Sequence, residues 1–175
     1  MNEFGVQALS TKEIAKREGI SEGAVFKHYP RKSDLVLAVL DYFSKFDKDI
    51  YEAIEKRGLK PKEAIIYVID AYATYYQGYP AITAITQAYD EMRYSPVLAG
   101  KIDAILRTRL DAFRKLVEEA QRSGELNRLW DRDTIADIIV GTFNGICLRW
   151  RIDDYNFSFK NQCNLATSMI LEAFK

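Results

Sequence analysis

The sequence holds a single histidine, His28, in 175 residues. That scarcity argues against catalytic triads, histidine-rich zinc sites and paired-histidine chemistry. Only two cysteines occur, Cys147 and Cys163, outside any CxxC spacing and inside apolar pattern, as reduced core thiols are. No metal-ligand spacing and no glycine-rich phosphate loop accompany them, so no metal, no cofactor and no enzymatic activity is expected. An excess of one charge is lacking too, since Lys+Arg and Asp+Glu stand at 25 each. A nucleic-acid partner would therefore have to be held by a local patch. Long hydrophobic runs are missing as well. The stretches 64–76 and 138–148 are interrupted by Asp70 and Asn144, and both fall short of the roughly 20 residues of a membrane span. No membrane partner is expected, and without a signal peptide the expected compartment is the cytoplasm.

What is present is helical punctuation. Apolar residues make up 48% and charged ones 29%, the balance of a globular chain that buries a core without metal or disulfide. Apolar spacing is 3 or 4 throughout, with no sustained alternation, which predicts an all-α fold. The four prolines, Pro30, Pro61, Pro80 and Pro96, each precede an apolar periodic segment. Phe4, Gly5 and Leu9 read as a helix end, a glycine stop and a turn. Helices are then expected over 11–18, 22–28, 33–56, 61–77, 81–92, 95–123, 132–152 and 156–174. Ser10 with Glu13 forms a capping-box pattern, and Ser21 and Asp131 read as N-caps. Trp130 and Ile135 are spaced as a hydrophobic staple.

The first two of these helices, joined by a tight turn, form a helix-turn-helix pattern. Ile14, Ala15 and Val25 face inward and Ile20 plugs the turn. Glu22, Ala24 and Lys27 are left on the outer face of a helix suited to a major groove. Between residues 10 and 34, six basic side chains (Lys12, Lys16, Arg17, Lys27, Arg31, Lys32) meet four acidic ones (Glu13, Glu18, Glu22, Asp34). The local excess is modest, with most of the basic groups at the two helix starts and just after the second helix.

The run from Leu9 to Leu40, LSTKEIAKREGISEGAVFKHYPRKSDLVLAVL, resembles the DNA-binding region of the TetR family of transcriptional regulators. Ile14-Ala15, Gly19-Ile20-Ser21, Gly23, Phe26, His28-Tyr29 and Lys32 carry the likeness. The resemblance implies that Thr11 and Lys12 contact a base edge or phosphate. It implies that Ser21, Glu22, Gly23, Ala24 and Lys27 face the groove and that His28 and Lys32 contact the backbone. Phe26 stands where the family usually has tyrosine, without a hydroxyl to donate to phosphate. The family's reader also has a helix ahead of this run, of which residues 2–9 look like the tail.

The resemblance further implies a helix-turn-helix domain over 1–40 and a helical-bundle ligand-binding and dimerisation domain over 41–175. It implies a homodimer on double-stranded, palindromic operator DNA, paired through the last two helices, with Ile138, Ile139, Phe143, Ile170 and Phe174 as its apolar patch. Gly141 and Gly145 suit either close approach of another helix or a crossing within the chain. A cavity is implied among helices 61–150. Tyr72, Tyr76, Gln87, Tyr89, Phe113 and Phe143 are its candidate lining, for a hydrophobic small molecule with one polar end. Tyrosines clustered in this way are more often core packing than pocket lining. The function expected is a ligand-responsive repressor; the other reading is a ligand-binding dimer that has lost DNA binding, which Phe26 favours.

Overall fold

Short polar side chains set where the helices begin in this computed structural model. The structure describes residues 10–175, and among them lie nine α-helices and no strand. The expectations for Phe4, Gly5 and Leu9, and for a helix ahead of the reader, lie outside the described residues. Helix α1 (Thr11–Glu18) opens on Ser10, whose hydroxyl accepts the Glu13 N–H at 3.2 Å. It stops at Gly19, whose φ of +67° is a left-handed cap that a Cβ would strain. Helix α2 (Glu22–His28) opens on Ser21, which accepts the Ala24 N–H at 3.2 Å. Helix α3 (Lys32–Arg57) is one continuous element, and α4 (Pro61–Gly78) starts on its proline.

Three boundaries differ from the periodicity. The segment 81–92 is two helices, α5 (Ala81–Gln87) and α6 (Tyr89–Arg93), because Ala88 leaves the helical region at φ −96° and ψ 7°. Helix α7 (Ala99–Arg122) begins after Ser95 has closed a turn, its carbonyl accepting the N–H groups of Leu98 and Ala99. Helix α8 (Arg132–Ile152) starts where expected, with Asp131 accepting the Thr134 N–H at 2.8 Å. Helix α9 (Phe159–Ala173) starts at Phe159 rather than near 156, since Asp154 and Tyr155 take φ of +49° and +63°. Ser158 caps it.

The chain divides into two compact units, one of Met1–Phe46 with Pro80–Leu106 and one of Asp47–Tyr79 with Arg107–Lys175. In the first, Ala15, Val25 and Leu35 form a small core against Ile14 and Tyr29. Val36 and Leu40 of α3 join Ile85, Met92, Leu98 and Ile102 in a second cluster. Ile20 does not plug the turn: it is 51% exposed, because the α1–α2 core closes through Ala15 and Val25 instead. In the second unit α9 packs on α4 and α8. Phe159 is fully buried, stacked on Trp150 at 5.0 Å and edge-on to Phe143 at 5.2 Å. The Trp130 ring meets Phe174 of the C-terminal turn at 5.8 Å. Cys147 and Cys163 are buried thiols outside any disulfide, and burial, then the neighbouring Cys147, pushes Cys163 up to about 12. Among the described residues no helix is long and apolar enough to cross a membrane.

Candidate functional site

The helix-turn-helix presents the residues its pattern places outward. Lys12, Ser21, Glu22, Gly23, Ala24, Lys27, His28 and Lys32 are all exposed, while Ala15 and Val25 between them are buried. Thr11 is half-buried, and its hydroxyl donates to Glu22 at 3.2 Å, tying the start of α1 to the start of α2. Two of the six basic side chains are spent internally. Arg17 donates to Glu13 at 2.8 Å, and Arg31 holds Asp34 through two nitrogens at 3.0 and 3.3 Å. These bonds lower the pKa of both carboxyls. Lys12 and Lys27 are left as cations at the two helices' outer surface. Space beside Gly23 is open, with no atom within 4 Å of where a Cβ would sit. Phe26 is 56% exposed, an apolar ring on the same surface.

The six candidate effector residues are divided between the two units. Gln87 is exposed, and Tyr89 packs half-buried against the Val36–Met92 cluster of the first unit. The other four belong to the second unit. Tyr76 and Phe143 meet edge-on at 5.4 Å, and Tyr76 also stacks on Phe159 at 6.3 Å. Tyr72 lies one turn before Tyr76, ring to ring at 6.4 Å, and Phe113 is buried. A pocket of about 320 Å³ lies between the start of α3 and α6, lined by Lys32, Val36 and Met92 among others. Another of about 490 Å³ lies at the end of α7, beside Arg122 and Arg128. Neither is lined by any of the six.

The periodicity reading passed over two charged residues. Asp47 of α3 accepts the Tyr72 hydroxyl at 2.8 Å and the Arg109 Nε–H at 2.8 Å. The guanidinium lies 5.3 Å from the Tyr72 ring centre. Burial drives the Tyr72 hydroxyl far above its ordinary pKa and pushes Tyr51 up to about 12. The signal was available: Asp47 falls on the stripe Phe43–Ile50, and Arg109 on the stripe Leu106–Phe113, where solvated charges do not belong.

The outer face of the last two helices also differs from the expected patch. Ile139 and Phe143 are buried in the chain's own core, and Ile170 and Phe174 are half-buried, so only Ile138 of the five is exposed. The apolar side chains that do face outward are Ile138, Leu148 and Ile152 of α8 with Leu165 and Met169 of α9. Gly141 and Gly145 continue the α8 stripe, with open space beside both.

Two family profiles match the chain. That of the bacterial regulatory proteins, tetR family, covers residues 1–39, and that of the YsiA-like protein C-terminal region covers 40–173. The fatty acid metabolism regulator protein of Bacillus subtilis is 23% identical over 171 residues, spanning 97% of this chain and 87% of its own length. The crystal structure of the transcriptional regulator FadR from Bacillus subtilis in complex with stearoyl-CoA superposes with a TM-score of 0.82 at 22% identity, covering 99% and 93% of the two chains. Thermus thermophilus FadR in complex with lauroyl-CoA gives 0.64 at 20%, covering 97% and 87%.

Proposed function

The chain belongs to the TetR family of bacterial regulatory proteins, and we propose that it is a dimeric repressor released from a palindromic operator by a long-chain acyl thioester. It is a ligand-responsive DNA-binding transcriptional regulator. The observation that carries this reading is the reader itself, whose groove-facing positions are exposed and whose core is closed by Ala15, Val25 and Leu35. The loss of the tyrosine hydroxyl at Phe26 removes one phosphate contact and leaves Lys12, Lys27 and Lys32 in place, so the reading without DNA is not favoured. Acyl-CoA as the effector class is supported by the two structural relatives solved with stearoyl-CoA and lauroyl-CoA. A bundle whose inner face is aliphatic and aromatic suits such a chain.

Each reader contacts one half-site, so the dimer must hold two readers about one helical turn apart, roughly 34–36 Å. The outward stripe Ile138–Gly141–Gly145–Leu148–Ile152, with Leu165 and Met169, supports pairing through α8 and α9. Small residues there let two copies of α8 approach, and the flanking apolar side chains fill the seam. A ligand that favours a different spacing of the readers shifts the population away from the DNA-bound state.

The test is selection of binding duplexes from a randomised pool, followed by titration of the enriched sequence. Enrichment of an inverted repeat supports the reading, and no enrichment contradicts it. On that duplex Lys32→Ala should weaken binding on cognate and random DNA alike and reduce the salt slope by about one counterion. Lys27→Ala should cost about 1–3 kcal/mol mainly on the cognate site. Equal losses for Lys27→Ala on cognate and random DNA would move it from base reading to phosphate contact.

A further inference from the structure

We propose that Arg109 and the Tyr72 hydroxyl are the polar anchor of the effector site, taking an oxygen of an acyl ligand in place of the Asp47 carboxylate. The proposal rests on the acyl-effector reading above and says which atoms would hold the polar end. Three helices meet at this point: Asp47 comes from α3, Tyr72 from α4 and Arg109 from α7. Both charged side chains are largely withdrawn from water, at 14% and 17% exposure. A buried ion pair is weak stabilisation, because desolvation offsets most of the attraction, and an apolar pair of similar volume holds a bundle as well. Charges placed on two otherwise apolar helix stripes therefore point to a ligand rather than to the fold.

The chemistry of the donors fits one ligand class. A guanidinium and a phenol only gain by facing an oxygen acceptor, and Asp47 now supplies both of its oxygens to them. An acyl carbonyl or carboxylate oxygen accepts from the same two donors, so the exchange preserves their hydrogen bonds and frees Asp47. Burial keeps the Tyr72 hydroxyl protonated and therefore donating. One turn beyond the donors lie buried Tyr76 and Phe113, apolar partners for the carbons that follow the oxygen. Asp47 sits on α3, the helix that begins at Lys32. Its release changes what ties that helix to α4 and α7.

Calorimetric titration of the full chain with lauroyl-CoA and, separately, with laurate tests this. Arg109→Gln should weaken binding roughly tenfold or more, as loss of a charge-assisted bond does, and Asp47→Asn should tighten it by removing the competing acceptor. Those opposite signs are the signature, since a merely structural pair would shift both variants the same way. The ligand that shows them identifies the oxygen: lauroyl-CoA a thioester carbonyl, laurate a carboxylate. Equal affinity of Arg109→Gln and the parent for both ligands overturns the proposal. Should either charge variant fail to fold by circular dichroism, Tyr72→Phe decides, with weaker binding expected and unchanged affinity overturning it. If the parent chain binds neither ligand, the acyl-effector reading fails and the anchor falls with it.

Discussion

Phe159→Ala is expected to lower the unfolding free energy by about 3–5 kcal/mol, the cost of emptying a fully enclosed aromatic site. Phe159 is completely buried at the first residue of α9. Its ring is walled by Trp150 of α8 at 5.0 Å, Phe143 of α8 at 5.2 Å and Tyr76 of α4 at 6.3 Å. Three other rings thus lose a partner, and the rigid Trp150, whose indole N–H already donates to Phe157 at 2.9 Å, cannot swing in to fill the space. At this chain length each kcal/mol lowers the melting temperature by roughly 2–4 °C. Urea unfolding followed by circular dichroism measures the difference, and Phe159→Leu should recover part of it. A loss under about 1 kcal/mol for the alanine variant would show that the site collapses and that the aromatic stack is not the core of this unit.

The second large effect concerns assembly. The double substitution Leu148→Arg, Ile152→Arg should convert the dimer into a monomer and abolish operator binding at concentrations where the parent saturates it. Both side chains are exposed on the outer stripe of α8, at 48% and 70%, so the fold itself should keep its helicity. In the pair of α8 helices the same positions would face their symmetry mates, placing unpaired like charges in the seam at a cost of several kcal/mol. Light scattering at micromolar concentration reads the mass, and anisotropy reads the DNA. A variant that remains dimeric would remove α8 from the interface. A monomer that still binds the full operator tightly would break the link between pairing and recognition.

Much of the fold was legible because its signals are local. Ser10, Ser21 and Asp131 cap helices where their short acceptors predict, and Gly19 closes α1 at a positive φ. The helix-turn-helix followed from the inward set Ile14, Ala15 and Val25, which the core confirms except at Ile20. Helix α8 misled for a physical reason. It carries two apolar stripes, Ile135–Ile139–Phe143–Ile146 inward and Ile138–Leu148–Ile152 outward, and a period of 3.6 does not say which one meets the chain's own core. Gly141 and Gly145 mark the outward stripe, but only open space around them in the structure shows it. The candidate lining was read from aromatic content, which packing and pockets share; Tyr76 and Phe143 both meet the Phe159 ring. Asp47 and Arg109 were readable as charges on apolar stripes, yet their pairing spans 62 positions and needed the fold.

The central claim, that an acyl thioester governs DNA binding, is tested most directly by one titration. A fluorescent duplex enriched from the randomised pool is saturated with the chain, and lauroyl-CoA, stearoyl-CoA or free CoA is then added while anisotropy is followed. The account predicts release by the acylated forms, with at least about a tenfold loss of DNA affinity, corresponding to 1.4 kcal/mol or more of coupling, and no release by free CoA. Undiminished anisotropy at saturating acyl-CoA, or equal release by free CoA, would contradict it.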